Sequence, residues 1–374
     1  MTSRFHFERM PLAETSDSAT YKHIRAVHPS LTRIDAWISS LGAAVTLADL
    51  HGDGLPTDLI LSDPRTNLVT IQPVPGTPRK CAPFALDPAP LPFDPETMAP
   101  MGIVAGDFNE DGRRDLMVYY WGRSPILFLR KADGPANGQE LSNADFVPQE
   151  LAPGGERWFT NGATQADLDG DGHVDIIIGN YFQDGAEILN AKGGGVQQMH
   201  DGKAKALNGG KKHVYLWAGA TAGSTPSVRF NEVPHAFPEH IDKSWVLSEG
   251  AADLDGDMLP EIYFGNDFGP DRLMHNRSKP GKLEFVELTS KQSFFRPKSF
   301  ALGHDSFKGM GCDFGDVNGD GYLDIYVSNI ATKFGLTESH FLWQSTGDIA
   351  GMKEGRAPYF QASEKLGEIG RAHV

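Results

Sequence analysis

The sequence predicts an all-β fold, a β-propeller of about 60-residue blades that is incomplete in this chain. Three observations predict it. An aspartate-rich segment recurs five times at nearly even spacing, and a strand-length apolar run follows four of the copies. The chain is also rich in turn formers, with 42 Gly and 25 Pro beside 22 Phe in 374 residues. That composition suits many short strands joined by tight turns.

The five segments begin at Asp49, Asp107, Asp167, Asp253 and Asp316, at intervals of 58, 60, 86 and 63 residues. A blade of four short strands with its turns needs roughly 40–60 residues, so three intervals fit one blade each. The long interval holds the Gly- and Lys-rich stretch 191–212, expected to be an exposed loop. The runs at 116–120, 176–179, 262–265 and 325–328 are β-branched and aromatic. Continuous runs of this kind suit strands buried on both faces, as between stacked blades. A helical period is absent from the repeats; one short helix is expected within 12–41, around Ile34, Ile38 and Leu41. The organisation read from this is an N-terminal segment at 1–40, the partial propeller at 41–367 and a tail at 368–374. The tail reads as the translation of a sequencing adapter and is expected to be an assembly artefact.

The repeated pattern is Asp-x-Asp/Asn-x-Asp-Gly-x-x-Asp, which puts oxygen ligands at positions 1, 3, 5 and 9 of a tight loop. Calcium is a hard cation that takes 6–8 oxygens and tolerates irregular geometry, whereas magnesium demands a tighter octahedron. Glycine at position 6 permits a positive φ, so the chain can reverse and bring position 9 to the others. Three loops keep every ligand position: Asp107, Asn109, Asp111 and Asp115; Asp167, Asp169, Asp171 and Asp175; Asp316, Asn318, Asp320 and Asp324. The fourth offers Asp253, Asp255, Asp257 and Glu261, with Met258 where glycine is wanted. The first offers Asp49, Asp53 and Asp58, with His51 at position 3 and one extra residue before Asp58, and is expected to be degenerate. An EF-hand is excluded, because it demands a bidentate Glu at position 12 and a following helix. Position 12 here is Val118, Ile178, Phe264 and Val327 in repeats two to five.

These loops, each followed by a strand, resemble the FG-GAP/VCBS repeats of integrin α-like propellers. Residues 99–102, 309–315 and 338–343 further resemble VCBS proteins that carry an ASPIC/UnbV-type C-terminal domain. The resemblance implies calcium (Ca2+) in each loop, a full ring of about seven blades and an extracytoplasmic location, secreted, periplasmic or at the cell surface. The first residues carry no apolar signal-peptide core, and no ASPIC/UnbV-type domain is visible; both fit a truncated chain. No enzymatic activity follows from the family.

Charge and motifs narrow the function classes. The net charge of −15 argues against nucleic acid and anionic membrane as partners, and no apolar run reaches the ~18 residues of a spanning helix. Cys81 and Cys312 are far apart with no CxxC spacing, so neither a disulfide scaffold nor a zinc site is expected, only two buried thiols. His304-Asp305-Ser306 lacks a nucleophile elbow, and the tryptophans Trp121, Trp158, Trp217, Trp245 and Trp343 read as blade-packing residues. Asn276 begins a sequon. The expected function is a calcium-stabilised adhesion or recognition scaffold with a protein or glycan ligand on one propeller face. The alternatives are an enzyme acting on polysaccharide, for which Asp267 and Asp271 are the cluster to inspect, or a fragment whose missing C-terminal domain carries the activity.

Overall fold

The computed structural model describes residues 8–12, 21–78, 81–134, 140–292, 294, 297–330 and 340–362. Residues 338–339 and the tail at 368–374 lie outside them. Among the described residues, twenty strands form five four-stranded sheets, each an antiparallel meander in chain order. The first sheet holds β1 (Ala44–Ala48), β2 (Asp58–Asp63), β3 (Leu68–Pro73) and β4 (Phe84–Ala85). The second holds β5 (Ala99–Gly106), β6 (Asp115–Trp121), β7 (Ile126–Arg130) and β8 (Phe146–Glu150). The third holds β9 (Thr160–Ala166), β10 (Asp175–Asn180), β11 (Lys212–Thr221) and β12 (Ser227–Val233). The fourth holds β13 (Val246–Ala252), β14 (Glu261–Asn266), β15 (Arg272–Asn276) and β16 (Phe285–Leu288). The fifth holds β17 (Gly309–Gly315), β18 (Asp324–Asn329), β19 (Phe341–Ser345) and β20 (Tyr359–Gln361).

The first strands of successive sheets pack side by side, β1 on β5, β5 on β9, β9 on β13 and β13 on β17. Among the described residues β17 and β1 do not pack to that extent, so the five blades form an open, incomplete propeller.

The apolar runs explain how blades stack. Side chains alternate across a strand, so a run buried throughout serves two interfaces. On β10, Ile176 and Ile178 join Met117 and Leu127 of the second blade, while Ile177 joins Ile262 and Phe264 of the fourth. On β14, Ile262 and Phe264 face the third blade and Tyr263 packs with Ile325 and Val327 of the fifth. Val317 occupies the loop position that Phe108, Leu168 and Leu254 use to plug onto the following blade. With no described blade after the fifth, it is 55% exposed.

A separate cluster closes the face opposite the aspartate loops. Trp121, Phe159, Tyr181, Phe182 and Trp245 pack there with Val27, Leu31 and Ile38 of the N-terminal segment. The expected short helix is α1 (Asp35–Ser39), preceded by a 3-10 turn over Pro29–Ile34. Buried Arg25 ties the segment down by donating to the carbonyls of Pro64, Pro95 and Met98. Trp121, Trp158, Trp245 and Trp343 are all buried, in line with blade packing.

The stretch 191–212 is the expected loop, exposed over much of 191–205, but its end is docked rather than solvated. Ala206 and Lys212 are buried, and Met199 packs on the apolar cluster. Backbone bonds, including Gly209 N–H to Lys243 O and Ala206 N–H to Phe268 O, hold it against the fourth blade. Lys212 opens β11 and donates to the carbonyls of Asp242 and Ser244, and burial lowers its ammonium to about 7. Glycines and main-chain groups make these contacts, so no apolar period announces them. The two thiols also differ: Cys81 is buried, Cys312 only half-buried. No helix among the described residues is long and apolar enough to cross a membrane.

Beside Lys212, His213 bridges Asp184 (2.9 Å) and Glu232 (2.7 Å) and stacks on Trp158 at 4.0 Å. Burial opposes its charge, but the two carboxylates outweigh that and raise its pKa; Asp184, also opposed by burial, is lowered by His213. The histidine contribution to stability is therefore full below its unfolded value and lost as pH rises through the folded one. The aspartate contribution is full above its unfolded value and lost as pH falls through the folded one. His213→Gln is expected to cost roughly 3 kcal/mol near pH 6 in urea denaturation, and clearly less near pH 9. Equal losses at both pH values would assign the effect to stacking on Trp158 instead.

Candidate metal centres

In every blade the aspartate-rich segment is the turn from first to second strand, and its position 9 opens the second strand. Those residues, Asp58, Asp115, Asp175, Glu261 and Asp324, are each at most 1% exposed. One oxygen accepts the backbone N–H of position 2: Leu50, Phe108, Leu168, Leu254 and Val317 donate at 2.7–3.1 Å. In blades two to five the other oxygen accepts an N–H from the third strand, from Arg130, Trp217, Asn276 and Ser345 at 2.7–3.3 Å. Position 9 thus pins turn, second strand and third strand together.

The other carboxylates shape the turn. Position 1 accepts N–H groups of the following residues, as Asp167 does from Gly170, Asp171 and Gly172. Position 5 caps the N–H of position 7 at 2.9–3.0 Å in loops two to five. Position 6 has the expected positive φ throughout, from 73° at Met258 to 90° at Gly172. Position 4 shares it, including Glu110 at 55°, which the sequence pattern did not announce.

These turns gather oxygen. Asp167, Asp169 and Asp175 bring ligand atoms within 4.8 Å of one another, and so do Asp253, Asp255 and Asp257. In the second and fifth loops Asn109 and Asn318 stand at position 3, donating to Asp111 at 3.3 Å and Asp320 at 2.8 Å. Burial raises Asp115 and Asp175 to about 7 and Glu261 to about 8, against the pull of their backbone hydrogen bonds. A bound cation acts in the opposite direction, favouring the ionised forms.

The loops also touch neighbouring blades. Glu110 of the second loop accepts from His173 of the third at 2.8 Å, and that ring stacks on Trp217 at 4.1 Å. Asp169 accepts the N–H of Gly281 in the fourth blade at 2.6 Å. The fourth loop gains a histidine that sequence reasoning missed: His275, at the third strand, lies 3.2 Å from Asp255 and 3.9 Å from Glu261. It falls 14 residues past the repeat, so no local spacing marks it. In the first loop the extra residue shifts the pairing. Val74 N–H goes to Thr57 O, and His51 instead lies against Asp58 at 3.0 Å.

The other candidate residues are buried and hydrogen-bonded within the fold. Asp271 accepts from Tyr263 (2.7 Å) and from Asn266 N–H (2.8 Å), and Asp267 accepts from Tyr181. Both are buried turn residues. Asp305 is buried and accepts the N–H of Asp271. Asn276 is fully buried and its amide donates to Leu168 O and Pro260 O, so the sequon is closed to glycosylation in the folded chain. A cleft of about 310 Å3 opens on the face away from the loops, lined by Arg123, Glu150, Glu156, Arg157, Phe159 and Glu187. Arg123 pairs with Glu150 at 2.8 Å and Arg157 with Glu187 at 2.7 Å.

Residues 253–327, from the loop of the fourth blade through β14, β15 and β16 to β17 and most of β18, match the FG-GAP-like repeat. Similar solved structures include the Bacillus licheniformis rhamnogalacturonan lyase PL11, at 12% identity and a TM-score of 0.31 over 82% of this chain and 66% of that one. The exotype rhamnogalacturonan lyase YesX matches at 16% identity and a TM-score of 0.32, over 72% of this chain and 46% of its own. BBS1N in complex with ARL6DN matches at 11% and 0.34, over 77% and 75%. The chain thus spans less than two thirds of either lyase.

The pin makes a prediction independent of any cation. Asp115→Asn turns one acceptor into a donor facing a backbone N–H and is expected to cost about 2–3 kcal/mol already in chelator, by urea denaturation, with any further loss in calcium reporting ligation. A loss confined to calcium would make Asp115 a ligand and nothing more.

Proposed function

We propose that this chain is a calcium-loaded propeller scaffold, in which the cations hold the turns and a propeller face recognises the ligand. The observation that carries this is the recurrence of one oxygen-rich turn at the same place in all five blades. A solvated Asp/Gly turn is common singly, but chance gives no reason for five at one topological position. The second, third and fifth loops supply oxygen at every ligand position. The fourth adds His275 to its acidic set.

Calcium in these loops is structural. The turns lie between strands that already pack, so a cation there removes carboxylate repulsion and stiffens the blade. Affinities of extracellular modules fall near 10⁻⁴–10⁻³ M, which suits a protein working outside the cytoplasm, where calcium is plentiful. The match of residues 253–327 to the FG-GAP-like repeat supports that location. A protein or glycan ligand is the partner this reading requires. The 310 Å3 cleft, with two arginines, three glutamates and Phe159 on its walls, has the mixed polar lining that hydrogen-bonding ligands need. Nucleic acid is disfavoured by the charge of −15.

The test is a thermal melt of the full chain in excess chelator, then with calcium raised to about 1 mM and magnesium as control. A calcium-selective rise in Tm is expected, because binding to the folded state alone stabilises it. An unchanged, cooperative melt would mean empty turns. Asp171→Asn keeps the turn hydrogen bonds and removes one charge. It is expected to leave the Tm in chelator unchanged or slightly higher, and to cut the calcium-induced rise. On a glycan panel, binding without turnover supports the scaffold reading; turnover would replace it with the polysaccharide-acting enzyme.

A further inference from the structure

We propose that the first blade's loop is a site for a thiophilic divalent cation of the zinc class, held by His51, Asp58 and Cys81. The inference is independent of calcium in the other loops. One ligand atom from each of the three residues lies within 4.8 Å of the other two. Tetrahedral zinc, with bonds of about 2.0–2.3 Å, separates its ligands by about 3.3–3.8 Å, so small side-chain adjustments close the set. All three are buried: Cys81 0%, Asp58 1% and His51 7% exposed.

The second observation is unmet polar chemistry at the same spot. Asp58 Oδ1 and His51 Nε2 are both buried without a hydrogen-bond partner. His51 Nδ1 bonds Oδ2 at 3.0 Å; it also lies 2.9 Å from Oδ1, but off the hydrogen-bonding direction. In blades two to five the matching oxygen accepts a third-strand N–H. Here Val74 N–H is spent on Thr57 O, which leaves Oδ1 available. Buried polar atoms of this kind need a partner, and a cation ligated by imidazole, carboxylate and thiolate supplies one.

The donor chemistry selects the metal. Calcium takes hard oxygens, and His51 removes the oxygen of position 3 that Asn109, Asp169, Asp255 and Asn318 provide elsewhere. Imidazole and thiolate favour zinc and other borderline cations. The histidine in the fourth loop does not make an equal site. Its partners are carboxylates without sulfur, and His275 Nε2 and Nδ1 both have hydrogen-bond partners. A Cys–His–Asp nucleophile reading of the first loop fails on access, since a substrate carbonyl cannot reach a thiol with no exposed surface.

Cobalt is the probe, because a cysteine thiolate bound to Co2+ gives an intense near-ultraviolet charge-transfer band. The full chain carrying Cys312→Ser, stripped of metal under reducing conditions and held in excess calcium, is titrated with Co2+. One equivalent is expected to saturate the band, and one equivalent of Zn2+ to bleach it. His51→Ala, which removes the imidazole and leaves two of the three ligands, is expected to abolish the band at one equivalent, as is Cys81→Ser. Absence of the band, or its persistence in either variant, overturns the site. If Cys81→Ser does not fold, zinc retained after dialysis of the Cys312→Ser chain decides. One equivalent supports the site and none overturns it.

Discussion

The buried acid at position 9 is the contact on which the rest of each blade depends. In blades two to five its two oxygens take N–H groups that no sheet ladder satisfies, one from position 2 of the turn and one from the third strand. An unpaired buried N–H costs about 1–3 kcal/mol, so a single carboxylate settles two such debts and joins three segments. Glu261 performs the same task as aspartate, which shows that the reach of the carboxylate matters more than its chain length. The pin also sets where the first three acids stand. With positions 1 and 9 fixed, the turn has little choice but to crowd its oxygens on one side.

That crowding is unfavourable alone and useful with a cation. Like-charged carboxylates a few ångströms apart repel by a few kcal/mol at an effective dielectric near 20. In this chain the strain is relieved differently from loop to loop. Asn109 and Asn318 put an amide donor beside an aspartate, and His275 brings an imidazole to the fourth loop. His51 does so for the first. The repeats share a backbone and differ in the donor atoms they present.

Much of this was legible beforehand. One aspartate loop per blade followed from the spacing of Asp49, Asp107, Asp167, Asp253 and Asp316, because a strand pair must straddle each turn. The double burial of Ile176, Ile177 and Ile178 followed from an apolar run without alternation. Less visible was anything carried by backbone or by distant side chains. The stretch 191–212 has no apolar period, yet main-chain bonds hold it against the fourth blade. Asn276 read as a sequon and is an internal amide. Cys81 read as an isolated thiol because its partners lie 23 and 30 residues away.

The sequence by itself determined the all-β class, the repeat and the residues able to offer oxygen, since these depend on composition and short-range spacing. Tertiary structure alone decided which donors share a site. Strand pairing carries His275 to Asp255 and folds Cys81 onto His51 and Asp58. It also decided that position 9 is a clamp, because the N–H groups it satisfies come from the turn and from another strand. Proximity across a sheet depends on register, and register exists only once the strands have paired.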